Sequence, residues 1–121
     1  MSAFVSERLH QQSFVAVENS HGVSGADTVF HYLIDGNNIS GTYTGGAVVS
    51  GTFVGKVTGE DTIRLLYQCI TIEGELLAGW SEGVVQAADQ GRTKLVFEWA
   101  WLQGATGGGT SCYVSCNDPD S

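Results

Sequence analysis

Basic residues are scarce in this sequence. Five lysines and arginines stand against 13 aspartates and glutamates, which gives a formal net charge of −8 at pH 7. The five basic residues are scattered and form no cluster: Arg8, Lys56, Arg64, Arg92 and Lys94. An acidic surface repels phosphate backbones and anionic lipid headgroups. The composition therefore predicts neither a nucleic-acid partner nor a membrane partner.

Long apolar runs and bridgeable cysteine pairs are also lacking. The apolar stretches are a few residues long, whereas a membrane-spanning helix needs about 20, and the first residues lack the basic flank and apolar stretch of a secretory signal. Cys112 and Cys116 are four positions apart. On an extended strand that spacing is about 13 Å, too far for a disulfide. We predict free thiols, including Cys69, and a cytoplasmic protein.

Residue types that catalyse reactions or bind metals are present but not grouped. His10, His21 and His31 do not stand at ligand spacing, and no second ligand pair accompanies the two C-terminal cysteines. Cys69 and His31 show no sign of contact, and Ser111 lacks the strand–turn–helix context of a catalytic serine. We therefore predict no metal site, no cofactor and no catalytic residue, and enzyme activity ranks behind a binding or an interaction role.

The most informative stretch of the chain is the aromatic run at residues 92–103. Side chains on an extended strand point alternately to opposite faces. Four large apolar residues of the run share one face: Leu95, Phe97, Trp99 and Trp101. Glu98 falls on the other face. The pattern predicts a strand whose aromatic face is buried.

Segments of the same character recur along the whole chain. We predict eight strands, at residues 14–20, 28–34, 38–44, 47–57, 62–72, 75–87, 92–103 and 110–114. Turn residues separate them, as in Asp35-Gly36-Asn37. With 121 residues the chain is expected to form one domain. We assign residues 14–121 to an antiparallel domain and residues 1–13 to an N-terminal appendage.

Two architectures fit eight strands joined by short loops: an up-and-down β-barrel or a β-sandwich. Glycines interrupt several predicted strands, for example Gly51, Gly55, Gly79 and Gly83. A glycine within a strand permits a sharp bend or lets another side chain lie close. A small closed barrel needs both, so the all-β prediction is an eight-stranded antiparallel up-and-down barrel.

Several short motifs, taken in order, resemble those of a family of small bacterial proteins. They are VENS at residues 17–20, TVFHY at 28–32, YTGG at 43–46, GTFVGKV at 51–57, YQ at 67–68, GEL at 74–76, GR at 91–92 and WAW at 99–101. The resemblance spans about residues 14–114 and implies a calycin-like or streptavidin-like barrel. Some family members carry the name N-acetylglutamate synthase. The chain lacks the glycine-spaced segment and following helix with which an acetyltransferase binds acetyl-CoA.

The functional hypothesis concerns the barrel interior, because a small eight-stranded barrel either fills its centre with side chains or holds one small ligand. Candidate contacts for a small apolar or aromatic ligand are Tyr32, Tyr43, Tyr67, Phe97, Trp99 and Trp101. Residues 104–109 would close one end. In the alternative, the aromatics form a solid core and the protein is a structural or interaction protein, working through its acidic surface or as a homo-oligomer. A void of a few hundred Å³ favours the first.

Overall fold

The protein is a closed barrel of eight antiparallel strands, each paired with its neighbours in sequence. The computed structural model describes residues 3–19, 27–104 and 106–116. The elements are α1 (Ala3–Leu9), β1 (Ser13–Asn19), β2 (Val29–Asp35), β3 (Asn38–Gly45), β4 (Val48–Val57), β5 (Thr62–Thr71), β6 (Leu76–Ala87), β7 (Thr93–Gln103) and β8 (Gly108–Ser115). β8 pairs with β1 and closes the barrel. The predicted up-and-down barrel is confirmed, and the predicted strand ends differ by a residue or two.

The predicted tight turns are present where glycine permits a left-handed backbone. β2 ends at Asp35 and β3 begins at Asn38, with Gly36 at φ +64° between them. Gly74, between β5 and β6, has φ +83°. Side chains with a Cβ disfavour these angles, so glycine sets where each hairpin reverses.

The N-terminal helix α1 closes one end of the barrel. Its Val5 and Leu9 side chains are fully buried and belong to the core. Arg8 Nη1 donates a hydrogen bond of 3.2 Å to the carbonyl of Arg92, in the turn between β6 and β7. The stretch that we predicted as an appendage therefore supplies core residues, although the division of the chain at residue 13 stays a prediction.

Strand β7 has the predicted alternation. Leu95, Phe97 and Trp99 are buried, whereas Glu98 is exposed. Trp101 shares their face but is only half-buried, because it lies near the end of the strand. The barrel centre is thus built from one face of every strand, as the period of two requires.

Inward-facing glycines make room for aromatic rings on the neighbouring strand. The directly paired residues are Gly41 with Phe53, Gly51 with Tyr43, Gly79 with Tyr67 and Gly83 with Phe97. A Cβ on Gly51 would lie 2.5 Å from Cζ of Tyr43, closer than real Cβ atoms approach. Each ring therefore lies across the bare backbone of its partner strand, which is how a narrow barrel accommodates many aromatic side chains.

Candidate functional site

A small cavity lies among the aromatic side chains of the interior. Its volume is about 40 Å³, room for roughly three water molecules. All six predicted ligand contacts line it: Tyr32, Tyr43, Tyr67, Phe97, Trp99 and Trp101. They come from four strands, β2, β3, β5 and β7. The structure therefore brings the predicted set together, while its role in ligand binding stays a prediction.

Seven further residues line the cavity that we did not predict from the sequence. They are Phe30, Phe53, Leu65, Cys69, Ser81, Ser111 and Tyr113. The inward position of Ser81 could have been predicted from the alternation of side chains along β6, because Ser81 shares a face with Gly79 and Gly83. Tyr113 and Ser111 share the inward face of β8 in the same way. Which side chains these residues meet inside the barrel depends on the register between strands, and the alternation within one strand does not determine that register.

The cavity walls are ring-to-ring contacts. Phe30 and Tyr43 stack with centroids 4.6 Å apart and planes 14° apart, and the edge of Tyr113 meets Phe30 at 5.1 Å. Trp99 and Trp101 meet edge to face at 5.1 Å. These separations are those of favourable aromatic pairs. The walls are flat and largely packed against one another, which is why the free volume is small.

Cys69 and Tyr43 share a side-chain hydrogen bond within the cavity lining. Burial raises the pKa of the Cys69 thiol, and the hydrogen bond with Tyr43 offsets only part of that rise. Burial also raises the pKa of the Tyr43 and Tyr67 hydroxyls well above their ordinary value. The thiol and both phenols are therefore protonated at neutral pH, and Cys69 is a poor nucleophile.

Trp99 presents a buried donor without an acceptor. The residue is 6% exposed, and its Nε1 atom has no hydrogen-bond partner among the described residues. Ser81 stands directly opposite Trp99 in the pairing of β6 with β7. Leaving a buried donor unpaired costs roughly 1–3 kcal/mol. The cavity lining therefore includes a residue with a buried polar atom that the described protein does not satisfy.

The buried hydroxyls divide into two groups. Thr28 donates to the Gly45 carbonyl at 3.0 Å, and Thr71 accepts from the Glu75 amide at 3.1 Å. Two other buried serines, Ser81 and Ser111, line the cavity. The buried atoms that lack a hydrogen-bond partner among the described residues are Trp99 Nε1, in a residue of the cavity lining, and Arg92 Nε, in the turn between β6 and β7.

The other residues that we weighed for chemistry lie elsewhere. His31 Nδ1 is 2.6 Å from Ser13 Oγ on the outer face, and His10 Nδ1 accepts from the Ile34 amide at 3.0 Å. His21 lies outside the described residues. Within the described ranges, no group of three or more His, Cys, Asp or Glu residues is arranged to hold a metal ion. The described part of residues 104–109 is not part of the cavity lining.

No helix in the part of the chain that the structure describes combines the length and the apolar character required to span a bilayer.

Comparison with known proteins identifies the family. The sequence model described as avidin-like protein matches residues 7–116, so the chain belongs to the avidin-like family. The streptavidin-like barrel implied by the sequence resemblance is thereby confirmed. No curated protein sequence matches the chain.

Solved structures of similar fold include two of apo shwanavidin. The P1 crystal form has a TM-score of 0.65 at 13% identity and covers 89% of this chain and 96% of that one. The P21 form has a TM-score of 0.66 at 13% identity and covers 91% of this chain and 97% of that one. At this identity the likeness concerns the fold.

Proposed function

We propose that this avidin-like chain is a non-catalytic protein that binds a small, partly apolar molecule inside its barrel. The contacts are the six predicted residues of the cavity lining: Tyr32, Tyr43, Tyr67, Phe97, Trp99 and Trp101. The observation that carries the proposal is the buried, unpartnered indole N–H of Trp99 beside a cavity with flat aromatic walls. A ligand acceptor at that position would remove the cost of the orphan donor.

Binding without reaction fits the chemistry of the lining. The described residues around the cavity include no histidine, carboxylate, lysine or arginine that could act as an acid or a base. The Cys69 thiol has a pKa raised by burial, which disfavours the nucleophilic thiolate. The proposal therefore does not extend to the N-acetylglutamate synthase name that some proteins of similar sequence carry.

The size of the cavity determines how binding would occur. A volume of about 40 Å³ is far below the several hundred Å³ of a typical ligand pocket, so the void that we expected to favour binding over a solid core is not open in this structure. Four rings of the lining are half-buried and border the solvent: Phe30, Tyr67, Trp101 and Tyr113. We propose that a ligand inserts a small group into the cavity and displaces one or more of these rings, so that binding widens the site.

Native mass spectrometry of protein purified without denaturant tests the proposal. We expect a small-molecule adduct that survives gentle ionisation and is released by denaturation. In Ser81→Leu a larger side chain occupies the cavity, so the adduct should disappear. Ser50→Leu adds the same side chain on the exposed face of β4 and should leave the adduct in place. Wild-type protein without an adduct, or an adduct that persists in Ser81→Leu, contradicts the proposal.

A second candidate is an interaction protein that self-associates, and the outer surface of the barrel favours it. Leu33, Val54 and Leu66 are each more than half exposed, at 52%, 60% and 53%. Val54 pairs with Leu66, and Leu66 pairs with Trp80, so these three residues form an outer apolar band across neighbouring strands, while Ser40 separates Leu33 from Val54. A homo-oligomer would bury this band away from water.

Sedimentation velocity distinguishes the two candidates. Self-association through the outer apolar band predicts a dimer or a larger species that Leu66→Glu converts to a monomer. The exposed Gln68→Glu, two positions along β5, adds the same charge outside the band and should leave the assembly intact. A wild-type monomer at high protein concentration would rule out this role.

We also propose a cytoplasmic location. Cys116 is exposed and unbridged, and Cys69 is buried as a thiol. A reducing compartment preserves exposed thiols, which supports this assignment.

A further inference from the structure

The linking segment, residues 10–12, joins α1 to β1 and is held against β2 by three hydrogen bonds. The Gln11 amide donates to the Tyr32 carbonyl at 2.8 Å, and the Tyr32 amide donates to the Gln12 carbonyl at 3.0 Å. The third bond runs from the Ile34 amide to Nδ1 of the His10 side chain, also at 3.0 Å. A side-chain atom therefore continues a row of contacts that the backbone begins.

The path of the chain explains why an imidazole takes this place. β1 begins at Ser13, which pairs with His31, so the strand ends before it reaches Ile34. Gln11 has φ +60°, in the left-handed region that residues with a Cβ rarely adopt, and there the chain turns away from β2 into α1. His10 Nδ1 accepts from the Ile34 amide in place of a strand carbonyl.

Docking of α1 closes the aliphatic end of the barrel. Four fully buried side chains define that end, two from α1 and two from strands: Val5, Leu9, Ile63 and Leu95. Arg8 adds hydrogen bonds to the Arg92 carbonyl at 3.2 Å and to the Thr93 hydroxyl at 3.5 Å. Arginine stays charged, whereas histidine side chains change charge between pH 5 and 8. The His10 contact is therefore a part of the docking that mild acid can alter.

Protonation of His10 removes the acceptor. A neutral imidazole accepts at one ring nitrogen, whereas an imidazolium donates at both nitrogens and accepts at neither. His10 is exposed, so protons reach it from solvent, but Ile34 is 6% exposed, so water has little access to its amide. Loss of the bond to a buried donor shifts an equilibrium by roughly ten- to hundred-fold. Undocking of α1 relieves this cost, because it gives both groups to water.

Other charged or titratable side chains lie on the elements that meet here. They are Glu7 and Arg8 on α1, His31 and Asp35 on β2, and Asp89 and Arg92 in the turn that Arg8 contacts. His31 Nδ1 lies 2.6 Å from Ser13 Oγ and makes no part of the bond to Ile34. These residues therefore provide controls that change a charge without removing the acceptor.

We propose that α1 is a proton-sensitive plug. At neutral pH the His10 side chain accepts from the Ile34 amide and α1 stays docked. Uptake of one proton at Nδ1 weakens the docking and opens the aliphatic end of the barrel in a larger fraction of molecules. Because the linking segment also bonds to Tyr32, a residue of the cavity lining, undocking loosens one wall of the interior. The plug operates whether or not the cavity binds a ligand.

Hydrogen exchange of the Ile34 amide and NMR of the Val5 and Leu9 methyl groups test the proposal on the full chain. Between pH 8 and pH 5, after correction for the intrinsic exchange rate, the opening constant at Ile34 should rise by about ten- to hundred-fold. The rise should not exceed about ten-fold per pH unit, the limit for uptake of one proton. The methyl signals should shift over the same range, while amides in the middle of β5 keep their protection because the barrel stays folded.

Two substitutions at His10 separate the acceptor from its titration. His10→Asn places Oδ1 where Nδ1 was and accepts at every pH, so the opening constant at Ile34 should stay low at pH 5. His10→Ala removes the acceptor, so the constant should already be high at pH 8 and change little on acidification. Wild-type protein at pH 5 should approach the value of His10→Ala, a comparison that does not depend on how well asparagine substitutes.

The controls are His31→Asn, Glu7→Gln and Asp35→Asn, and each should keep the wild-type response. A response that persists in His10→Asn or in His10→Ala overturns the proposal. A response that is lost in a control variant but kept in both His10 variants assigns the proton to another group and overturns it too. Equal protection of the wild-type Ile34 amide at pH 8 and pH 5 would show that α1 does not respond to acid.

Discussion

Replacing Trp99 by phenylalanine separates the two contributions that this residue makes to stability. The substitution removes part of a buried ring, which costs about 1–2 kcal/mol of burial free energy. It also removes the Nε1 donor that has no partner among the described residues, which returns roughly 1–3 kcal/mol in ligand-free protein. The two effects oppose each other. We therefore expect the free energy of unfolding of Trp99→Phe to lie within about 1 kcal/mol of wild type.

Two companion variants calibrate this result. Trp99→Ala removes a side chain that is 6% exposed and should cost about 3–5 kcal/mol, as deletion of a buried aromatic residue does. Glu98→Ala changes the exposed neighbour and should cost less than about 0.5 kcal/mol. Urea denaturation of protein refolded free of ligand gives all three values, provided that the m-values agree.

The reasoning is refuted in two separate ways. Equal costs for Trp99→Ala and Glu98→Ala would show that the two faces of β7 are assigned wrongly. A Trp99→Phe variant that unfolds as readily as Trp99→Ala would show that the indole N–H is needed for stability. In that case the donor is already satisfied in the ligand-free protein, and the argument for an unmet acceptor is lost.

Three further predictions concern the rest of the barrel. Leu9→Ala, at a fully buried helix position, should lower stability by about 2–5 kcal/mol, whereas thermal melts of the exposed Glu7→Ala should match wild type. Gly51→Ala places a Cβ 2.5 Å from the Tyr43 ring and should cost about 1–3 kcal/mol; a double-mutant cycle with Tyr43→Leu should show that the smaller side chain relieves most of this penalty. Burial raises the pKa of the Cys69 thiol above its ordinary value of 9.0, so the folded chain keeps a proton that the unfolded chain releases, and stability should fall as pH rises above about 9. In urea melts at a series of pH values, Cys69→Ala should lose the fall in stability that begins at about pH 9 in the wild type. A Cys69→Ala variant with the same pH dependence as the wild type would contradict this prediction.

The alternation of side chains explains why much of the fold is predictable from the sequence. Strands with a period of two must bury one face, and the run through Trp99 is unambiguous because Glu98 and Trp99 cannot share a face. The turn at Gly36 is equally clear, since few residues other than glycine tolerate its backbone angles. Strands, turns and barrel closure follow from such local rules together with short loops.

Contacts between side chains on different strands are harder to predict from the sequence. The pairing of Gly51 with Tyr43 depends on register, which a single sequence specifies only through the combined packing of all strands. The contribution of α1 is also non-local, because Leu9 is buried only once the barrel exists to receive it. Ser81 was missed as a cavity residue for the same reason: its inward position follows from alternation, but its place opposite Trp99 requires the register of β6 against β7.

The interior of the barrel differs in character between the end closed by α1 and the cavity. At the end closed by α1, the interior is largely aliphatic, with fully buried Ile63 and Leu95, and the buried Ser115 hydroxyl accepts from the Thr93 amide at 2.9 Å. At the cavity the interior is aromatic, and the Trp99 indole N–H lacks a partner among the described residues. Phenylalanine at position 99 would give the core a similar stability without burying an orphan donor, so the indole N–H is not required for the stability of the core. Two buried side-chain atoms among the described residues lack a hydrogen-bond partner, Trp99 Nε1 and Arg92 Nε, and of these two residues Trp99 is the one that lines the cavity, where free volume and flat walls occur together.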